Sequence, residues 1–440
     1  MDALIEKLIG DFHERELPAL TPRSTVLPAL YGKIDSIIGM RRSGRTTFLF
    51  QRMRELLEEG VPKESLLYVN FDDDRLRRMR LEELGRVTEV YYRLYPELKD
   101  RRCHFFFDEI QNIDGWEAFA RRLLDTENAQ IAITGSSAKL LSREIATSLR
   151  GRSLATEIFP FDFAEALAHG GVEPPGRRPA GSRARARLTN ALRGYLAVGG
   201  FPEVQGVAGH LRTRILQEYV DLVVYKDVVE RHLVRNVLPL RILTHKLLAE
   251  PASRFSVNKF YNDLRSQGVT CTKNAIYEHL DQLVDAYLVS AIAIHSRSER
   301  VRRVNPRKVY PVDPGLATAY RSSPSADLGR QLETFVFDHL RRSSSAISYY
   351  QTRGGFEVDF IASFDGGDPA LVGVAASLSD RETATRERRA LSEAMAELGL
   401  RTATLVTLEE EDTVQEGSAR IEVVPAWKWA LQISDRSPRN

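Results

Sequence analysis

The chain has 440 residues, with 62 Lys plus Arg against 60 Asp plus Glu and a formal net charge of +2. At roughly 150 residues per domain, this length implies about three domains, each large enough to bury a core. The hydrophobic fraction is 43%, the charged fraction 28%, and the only cysteines are Cys103 and Cys271; with no apolar run of ~18 residues, the sequence argues against a disulfide framework, a membrane span or a four-ligand zinc site and favours a cytoplasmic protein.

The first twenty residues carry acids at regular intervals and read as an amphipathic helix, not a signal peptide. Asp35-Ser36-Ile37-Ile38 reads as a buried strand, followed by a helix from Thr46 to about Glu59. Leu66–Phe71, His104–Phe107 and Ile131–Thr134 read as further strands, and Ser153–Phe159 closes the series before Pro160. Short apolar runs separated by helical stretches predict a parallel sheet covered on both faces, an α/β doubly wound fold. The Pro- and Gly-rich stretch Gly170–Gly181 predicts a connection. Helices are expected over Leu188–Val198 and Leu211–Val234, on either side of Gly199-Gly200-Phe201-Pro202. From Arg241 to Pro311 come a helix to about Glu250, a second that Ser256 can cap, a third that Thr272 can cap, and strands at Leu288–Ile294 and Lys308–Val312. That order suggests a winged helix-turn-helix. Arg297, Arg300, Arg302, Arg303, Arg307 and Lys308 lie between or at its strands against a single acid, Glu299. From about Pro314 onward, a helix carrying Leu328, Leu332, Phe335, Val336 and Leu340 precedes strands at Ile347–Tyr350, Glu357–Ile361 and Leu371–Ala375. A charged helix over Asp380–Leu398 and a strand at Thr402–Val406 complete a separate α/β domain.

Gly39-Met40-Arg41-Arg42-Ser43-Gly44-Arg45-Thr46 fits G-x-x-x-x-G-K-[ST] with Arg45 in the lysine position. Glycines at that spacing let successive backbone N–H groups turn inward around phosphate. The loop also follows an apolar strand and opens a helix whose positive end faces the anion. Gly39, Arg41, Arg42, Ser43, Gly44, Arg45, Thr46 and Thr47 are therefore expected to hold ATP, with the Thr46 hydroxyl on Mg²⁺. Phe105-Phe106-Phe107-Asp108-Glu109 is a buried strand ending in two acids, Asp108 to hold Mg²⁺ and Glu109 to polarise the attacking water. Thr134-Gly135-Ser136-Ser137 brings hydroxyls to the same sheet edge, where Ser136 is expected to orient water against the γ-phosphate. Arg150 and Arg152 precede the last strand, either as ordinary surface charge or as fingers onto the phosphates of a neighbouring subunit in a homo-oligomer.

These motifs, together with Val69-Asn70-Phe71-Asp72-Asp73, Pro160-Phe161-Asp162-Phe163, Gly199-Gly200-Phe201-Pro202-Glu203, Val312-Asp313-Pro314-Gly315-Leu316 and Glu357-Val358-Asp359-Phe360, run through nearly the whole chain. In their order the chain resembles the AAA+-type P-loop ATPases of bacteria and archaea that carry a winged helix and a C-terminal restriction-endonuclease-like domain. The resemblance implies an ATPase core over 1–165, a helical lid over 166–236, a winged helix-turn-helix over 237–313 and an endonuclease-like (degenerate PD-(D/E)xK) domain over 314–440. It implies ATP and Mg²⁺ as cofactors, and Gly200-Phe201-Pro202 resembles the G-x-P element by which the lid of related signalling ATPases senses nucleotide. In the endonuclease fold an acid on the first helix, an aspartate and an E-x-K on the next strand hold metal and activate water. Glu333 and Asp359 match the first two; the third falls near Gly373-Val374-Ala375, which has neither carboxylate nor lysine, so this domain is expected to be inactive.

Arg45 is the sharpest departure, because a planar guanidinium fork does not replace a compact ammonium conservatively. A misdirected charged hydrogen bond is worth about 1.5–3 kcal/mol, and placed on the transition state that is roughly a ten- to hundredfold loss of turnover. The expected function is an ATP-binding protein, a slow Mg²⁺-dependent ATPase or ATP-operated switch. The alternatives are a non-hydrolysing nucleotide-binding scaffold that recruits DNA or protein partners and, disfavoured by the missing E-x-K, an active nuclease. DNA contact through the winged helix is open, because Glu278, Asp281 and Asp285 on its recognition helix oppose phosphate. No membrane partner is expected, and the cysteines and histidines show no ligand spacing.

Overall fold

The computed structural model describes residues 1–135, 149, 151–173, 181–321, 328–364, 367–417 and 419–434. Two compact units divide the chain between Phe159 and Pro160. No helix among the described residues is long and apolar enough to cross a membrane.

The first unit is built on β1 (Ile34–Ile38), β2 (Leu66–Asn70), β3 (Cys103–Asp108), β4 (Ala129–Thr134) and β5 (Ser153–Glu157), all parallel, in the order β2-β3-β4-β1-β5. A strand alternates its side chains between two faces, which explains the three consecutive phenylalanines of β3. Phe106 packs with Ile37 and Tyr68 against Phe48, Leu49 and Met53 of the helix α2 (Arg45–Glu58) and Phe12 of α1 (Asp2–Glu14). Phe105 and Phe107 face the other way, onto Tyr91 of α3 (Leu81–Leu94) and Phe119 of α4 (Trp116–Thr126). With both faces covered, the strands need no polar side, and their common direction brings Ile38, Asp108 and Thr134 to one edge.

The second unit starts with α5 (Phe163–His169), α6 (Ser182–Val198) and α7 (Gly209–Leu222). The helix expected to run on to Val234 widens into π-helical turns over Val223–Val229 and ends at His232. Next come α8 (Val237–Ala249), β6 (Ser253–Phe255), α9 (Val257–Ser266), α10 (Lys273–Asp285), β7 (Val289–Ile292), α11 (Glu299–Val304) and β8 (Arg307–Pro311), the strands forming an antiparallel sheet in the order β6-β8-β7. Ser256 and Thr272 cap α9 and α10, accepting from Lys259 N at 3.3 Å and Ala275 N at 3.1 Å. Two expectations change here. The stretch between β7 and β8 is not a simple hairpin tip but contains α11, capped by Ser298. Lys308 does not join a solvated run of cations; it lies within β8 and is buried.

The chain ends with α12 (Pro314–Tyr320), α13 (Leu328–Ser343), β9 (Ala346–Gln351), β10 (Glu357–Ser363), β11 (Ala370–Ala375), α14 (Arg381–Leu398), β12 (Thr402–Thr407), β13 (Asp412–Glu416), β14 (Ala419–Pro425) and α15 (Ala426–Ser434). The sheet order is β13-β14-β12-β11-β10-β9, parallel at β11-β12-β14 and antiparallel towards both edges.

Three of the sequence motifs meet in this unit. Phe161 N donates to Gly200 O at 2.7 Å, and Tyr195 Oη donates to Phe161 O at 2.7 Å. Both oxygens of Asp313 accept from backbone, from Gly200 N at 2.5 Å and Gly315 N at 2.8 Å. Arg342 donates to Pro160 O at 2.9 Å, and Phe163 N to the ring of His339 at 3.3 Å. The backbones are so close that a Cβ on Gly200 would collide with Phe161 O. Burial pushes the Asp313 carboxyl up to about 7, the two backbone donors opposing it. Because that lies above the ordinary 3.8, the contribution of Asp313 to stability is fully present below about pH 4 and is lost as the pH rises through about 7. Gly200→Ala should destabilise this unit by about 3 kcal/mol or more, on the scale of severe core overpacking. Asp313→Ala, which leaves two buried N–H groups unpaired at about 1–3 kcal/mol each, should do comparable damage. Denaturant unfolding followed by circular dichroism measures both.

Candidate nucleotide site

The loop between β1 and α2 alternates its backbone handedness, with φ of 136° at Gly39, 66° at Arg42 and 102° at Gly44. Such alternation turns consecutive N–H groups into one concavity, an anion nest. Gly39 is required twice over, by its φ and because a Cβ there would strike Ile158 O. Gly44 caps α2 without any side-chain hydrogen bond, so the first-turn N–H groups remain for a ligand. Ser43 Oγ is buried with no hydrogen-bond partner among the described residues, an unmet demand that a phosphate oxygen would answer. Arg41 and Thr46 are half-buried, and Arg42 and Thr47 exposed.

An arginine outside the motif braces this loop. Arg23 donates from its guanidinium to Ser43 O at 2.5 Å and Phe159 O at 3.0 Å, while its backbone N and O bond the Gln51 side chain of α2 at 2.7 and 3.1 Å. It lies in an irregular stretch, 20 residues ahead of Ser43, where no periodicity or spacing could mark it.

Asp108 ends β3 deep in the sheet edge. One carboxylate oxygen accepts from Thr134 Oγ1 and the other from Tyr68 Oη at 3.1 Å, with the Thr46 hydroxyl also turned to it. Burial raises its pKa; the hydrogen bond from Thr134 works against this, and the neighbouring Glu109 charge adds to it. A hydroxyl and a carboxylate side by side, next to a phosphate-sized nest, are the hard oxygen donors that Mg²⁺ takes from protein alongside water and phosphate. The residues present fit that ion.

Glu109, expected to polarise water, is held by groups of the chain itself. Its backbone is left-handed at φ 52°, a conformation that costs a non-glycine residue of order 1 kcal/mol and survives only where neighbours over-determine it. Glu109 N donates to Thr134 Oγ1 at 3.0 Å, and the carboxylate accepts from Arg45 Nη2 at 2.8 Å and from Gln111 Nε2. The other arm of Arg45 donates to Gly135 O. The two arms of the guanidinium span the ends of β3 and β4, so the expected water-polarising carboxylate stands ion-paired to the residue in the lysine position.

Thr134 is the hydroxyl at the centre of this network. Ser136, expected to orient water against the γ-phosphate, lies outside the described residues, as does Arg150. Arg152 immediately precedes β5, whose Ser153 is level with Ile34 at the start of β1. At ~3.3 Å per residue that places it about a strand's length from the loop, at the opposite edge of the same sheet, where it pairs with Asp125.

Residues 31–167 match the family model described as AAA domain, so the fold and site define an AAA-type ATPase-like domain. Residues 189–327 and 328–429 match two domains of unknown function, DUF8612 and DUF4143. The chain is 35% identical over 419 residues to the uncharacterized protein MJ1544 of Methanocaldococcus jannaschii, across 93% of this chain and 90% of that protein, and it belongs to that family. An uncharacterized protein of Haemophilus influenzae is 29% identical over 331 residues, across 75% and 79% of the two chains. The Walker-type ATPase paby2304 of Pyrococcus abyssi overlays with a TM-score of 0.42 at 15% identity, across 69% of this chain and 99% of that one, too distant to argue from.

Burial raises the Asp108 pKa; with Asp108 as an anionic Mg²⁺ ligand, Mg²⁺–ATP affinity should begin to fall on acidification before an ordinary carboxylate would protonate. Asp108→Asn should remove the Mg²⁺ enhancement, roughly tenfold or more for a lost charged contact of about 1.5–3 kcal/mol, and leave metal-free binding by the amides in place. Calorimetric titration with and without Mg²⁺ between about pH 5 and 8 reads both.

Proposed function

We propose that this protein is an ATP-operated switch with slow Mg²⁺-dependent hydrolysis, held back by the Arg45–Glu109 ion pair. The observation that carries this reading is that pair, 2.8 Å long with side chains only 7% and 17% exposed. The amides from Gly39 to Thr46 bind the phosphates, and Thr46 and Asp108 hold Mg²⁺, which neutralises phosphate charge. Glu109 is the base that orients and polarises water, and it is released only when the Arg45 guanidinium exchanges its carboxylate for a phosphate oxygen, with Thr134 keeping Glu109 in register. Arg152 immediately precedes β5 at the far edge of the sheet from its own loop, so we assign it, with Arg150, to the phosphates of a neighbouring copy at a homo-oligomer boundary; ordinary surface charge paired with Asp125 is the alternative.

Single-turnover hydrolysis on purified protein tests this. Arg45→Lys should raise the rate roughly ten- to a hundredfold, and Glu109→Gln should abolish the residual rate. An unchanged or lower rate in Arg45→Lys rejects the brake. Wild-type turnover equal to that of Glu109→Gln would leave a non-hydrolysing nucleotide-binding scaffold, and a folded protein with no ATP affinity would remove the reading altogether.

We read residues 237–313 as a winged helix-turn-helix, from the order helix, strand, two helices and two strands, with the short helix α11 between those last strands. The later α/β domain we read as endonuclease-like and inactive. A DNA partner for the former rests on Arg300, Arg302 and Arg303 of α11; the last two pair with Glu299 at 3.2 and 3.3 Å on an exposed surface, contacts too weak to withdraw their charge. Retention on duplex DNA should fall steeply with salt, and reversing Arg300 and Arg303 to Glu should shrink the salt slope by about one or two contacts. No retention at low salt removes this partner.

A further inference from the structure

Glu333 of α13 and Asp359 of β10, the acids matched to an endonuclease metal site, come together in the second unit, and Glu357 joins them from the same face of β10 as Asp359. At their centre stands a cation from another element. Lys308 Nζ of β8 lies 2.6 Å from Glu333 Oε1, 2.7 Å from Glu357 Oε1 and 3.1 Å from Asp359 Oδ1, with its side chain 4% exposed. Further donors reach each of these acids. Tyr310 Oη donates to Glu333 Oε1 at 2.8 Å, Val374 N donates to Asp359 Oδ2 at 2.9 Å, and Arg254 pairs with Glu357. Burial alone would favour the neutral amine, but Tyr310 and the three carboxylates reverse it and hold the Lys308 pKa well above that of ordinary lysine.

A divalent ion here would need several of these oxygens at ~2.0–2.6 Å from one point, and that point is filled by an ammonium with three donors directed at three carboxylates. Among the described residues no group of three His, Cys, Asp or Glu side chains is placed to hold a metal ion. The residues therefore do not fit the metal that the fold resemblance implies. We infer that Lys308 is the resident cation of this site, a tethered ammonium in the place of a divalent ion, which closes the C-terminal module to metal and fastens the three-stranded sheet onto it. This stands independently of the nucleotide reading. Buried carboxylates cannot be left uncompensated, so removing the lysine creates demand for a cation of the same charge sign.

The test uses Mn²⁺ alone, followed by the paramagnetic resonance of the free ion. It uses the full chain without nucleotide and carries Asp108→Asn throughout to silence the first unit. Adding Asp359→Asn should leave Mn²⁺ binding unchanged, because Lys308 already excludes the ion. Lys308→Met should gain one Mn²⁺ site roughly tenfold or more tighter than any in its parent, and adding Asp359→Asn to Lys308→Met should abolish it. Asp359-dependent Mn²⁺ binding with Lys308 present, or a folded Lys308→Met that gains no site, overturns the inference. If Lys308→Met does not fold, Lys308→Met with Glu357→Gln, which removes one of the stranded charges, takes its place with the same outcomes. If that also fails, refolding in MnCl₂ should recover Lys308→Met, and no recovery overturns the inference.

Discussion

Burying a guanidinium at the carboxyl edge of a parallel sheet obliges the fold to set an anion beside it, and in the first unit that anion is Glu109. Arg45 ties the end of β3 to the end of β4, Thr134 ties both Asp108 and the Glu109 backbone to β4, and Tyr68 brings in β2. The nest is therefore not a loop hung on the sheet; its arginine is a structural member of the edge that faces the ligand. The left-handed backbone of Glu109 belongs to the same arrangement, its N–H bonded to Thr134 and its carboxylate to Arg45 and Gln111.

The second unit repeats the physical motif with other residues. Lys308 is buried among acids as Arg45 is buried against one, and in each case a cation from one element satisfies carboxylates on others. Buried ion pairs of this kind contribute little net stability, because desolvation offsets the attraction, but breaking one leaves a costly lone charge. The acids of both sites, read from sequence as ligands for water or metal, are first of all partners for cations of the chain itself.

The strands of the first unit were legible because strands covered on both faces are uninterrupted apolar runs, and the phosphate loop because its glycines have a fixed spacing. The acids ending β3 were legible for the same reason. Arg23 and Tyr68 were not: Arg23 lies in an irregular stretch with no signature, and Tyr68, though in a legible strand, has nothing in its pattern that marks its hydroxyl for Asp108. Lys308 was misread because a cation among neighbouring arginines looks like a solvated charge, and only the pairing of β8 beside β6 and β7 turns it inwards. The edge formed by β13, β14 and α15 went unread, β13 being a short polar run beside a glycine turn. Gly200-Phe201-Pro202 resembles a nucleotide-sensing element and the Asp313 motif belongs to the wider resemblance; neither signals that their hydrogen bonds join three stretches of the second unit to one another.

The Asp313 junction has a bearing on how the polypeptide is made. Gly200 waits for a carboxylate 113 positions downstream, and Pro160 for Arg342, 182 positions away. During synthesis the helices after Phe163 must therefore leave the ribosome without their anchors and stay unfinished until the chain beyond Arg342 has emerged. Contacts this remote in sequence slow the search for the native state and leave the interval open to chaperones and proteases. Fragments cut at the apparent joints near 236 or 313 would inherit that unfinished condition permanently.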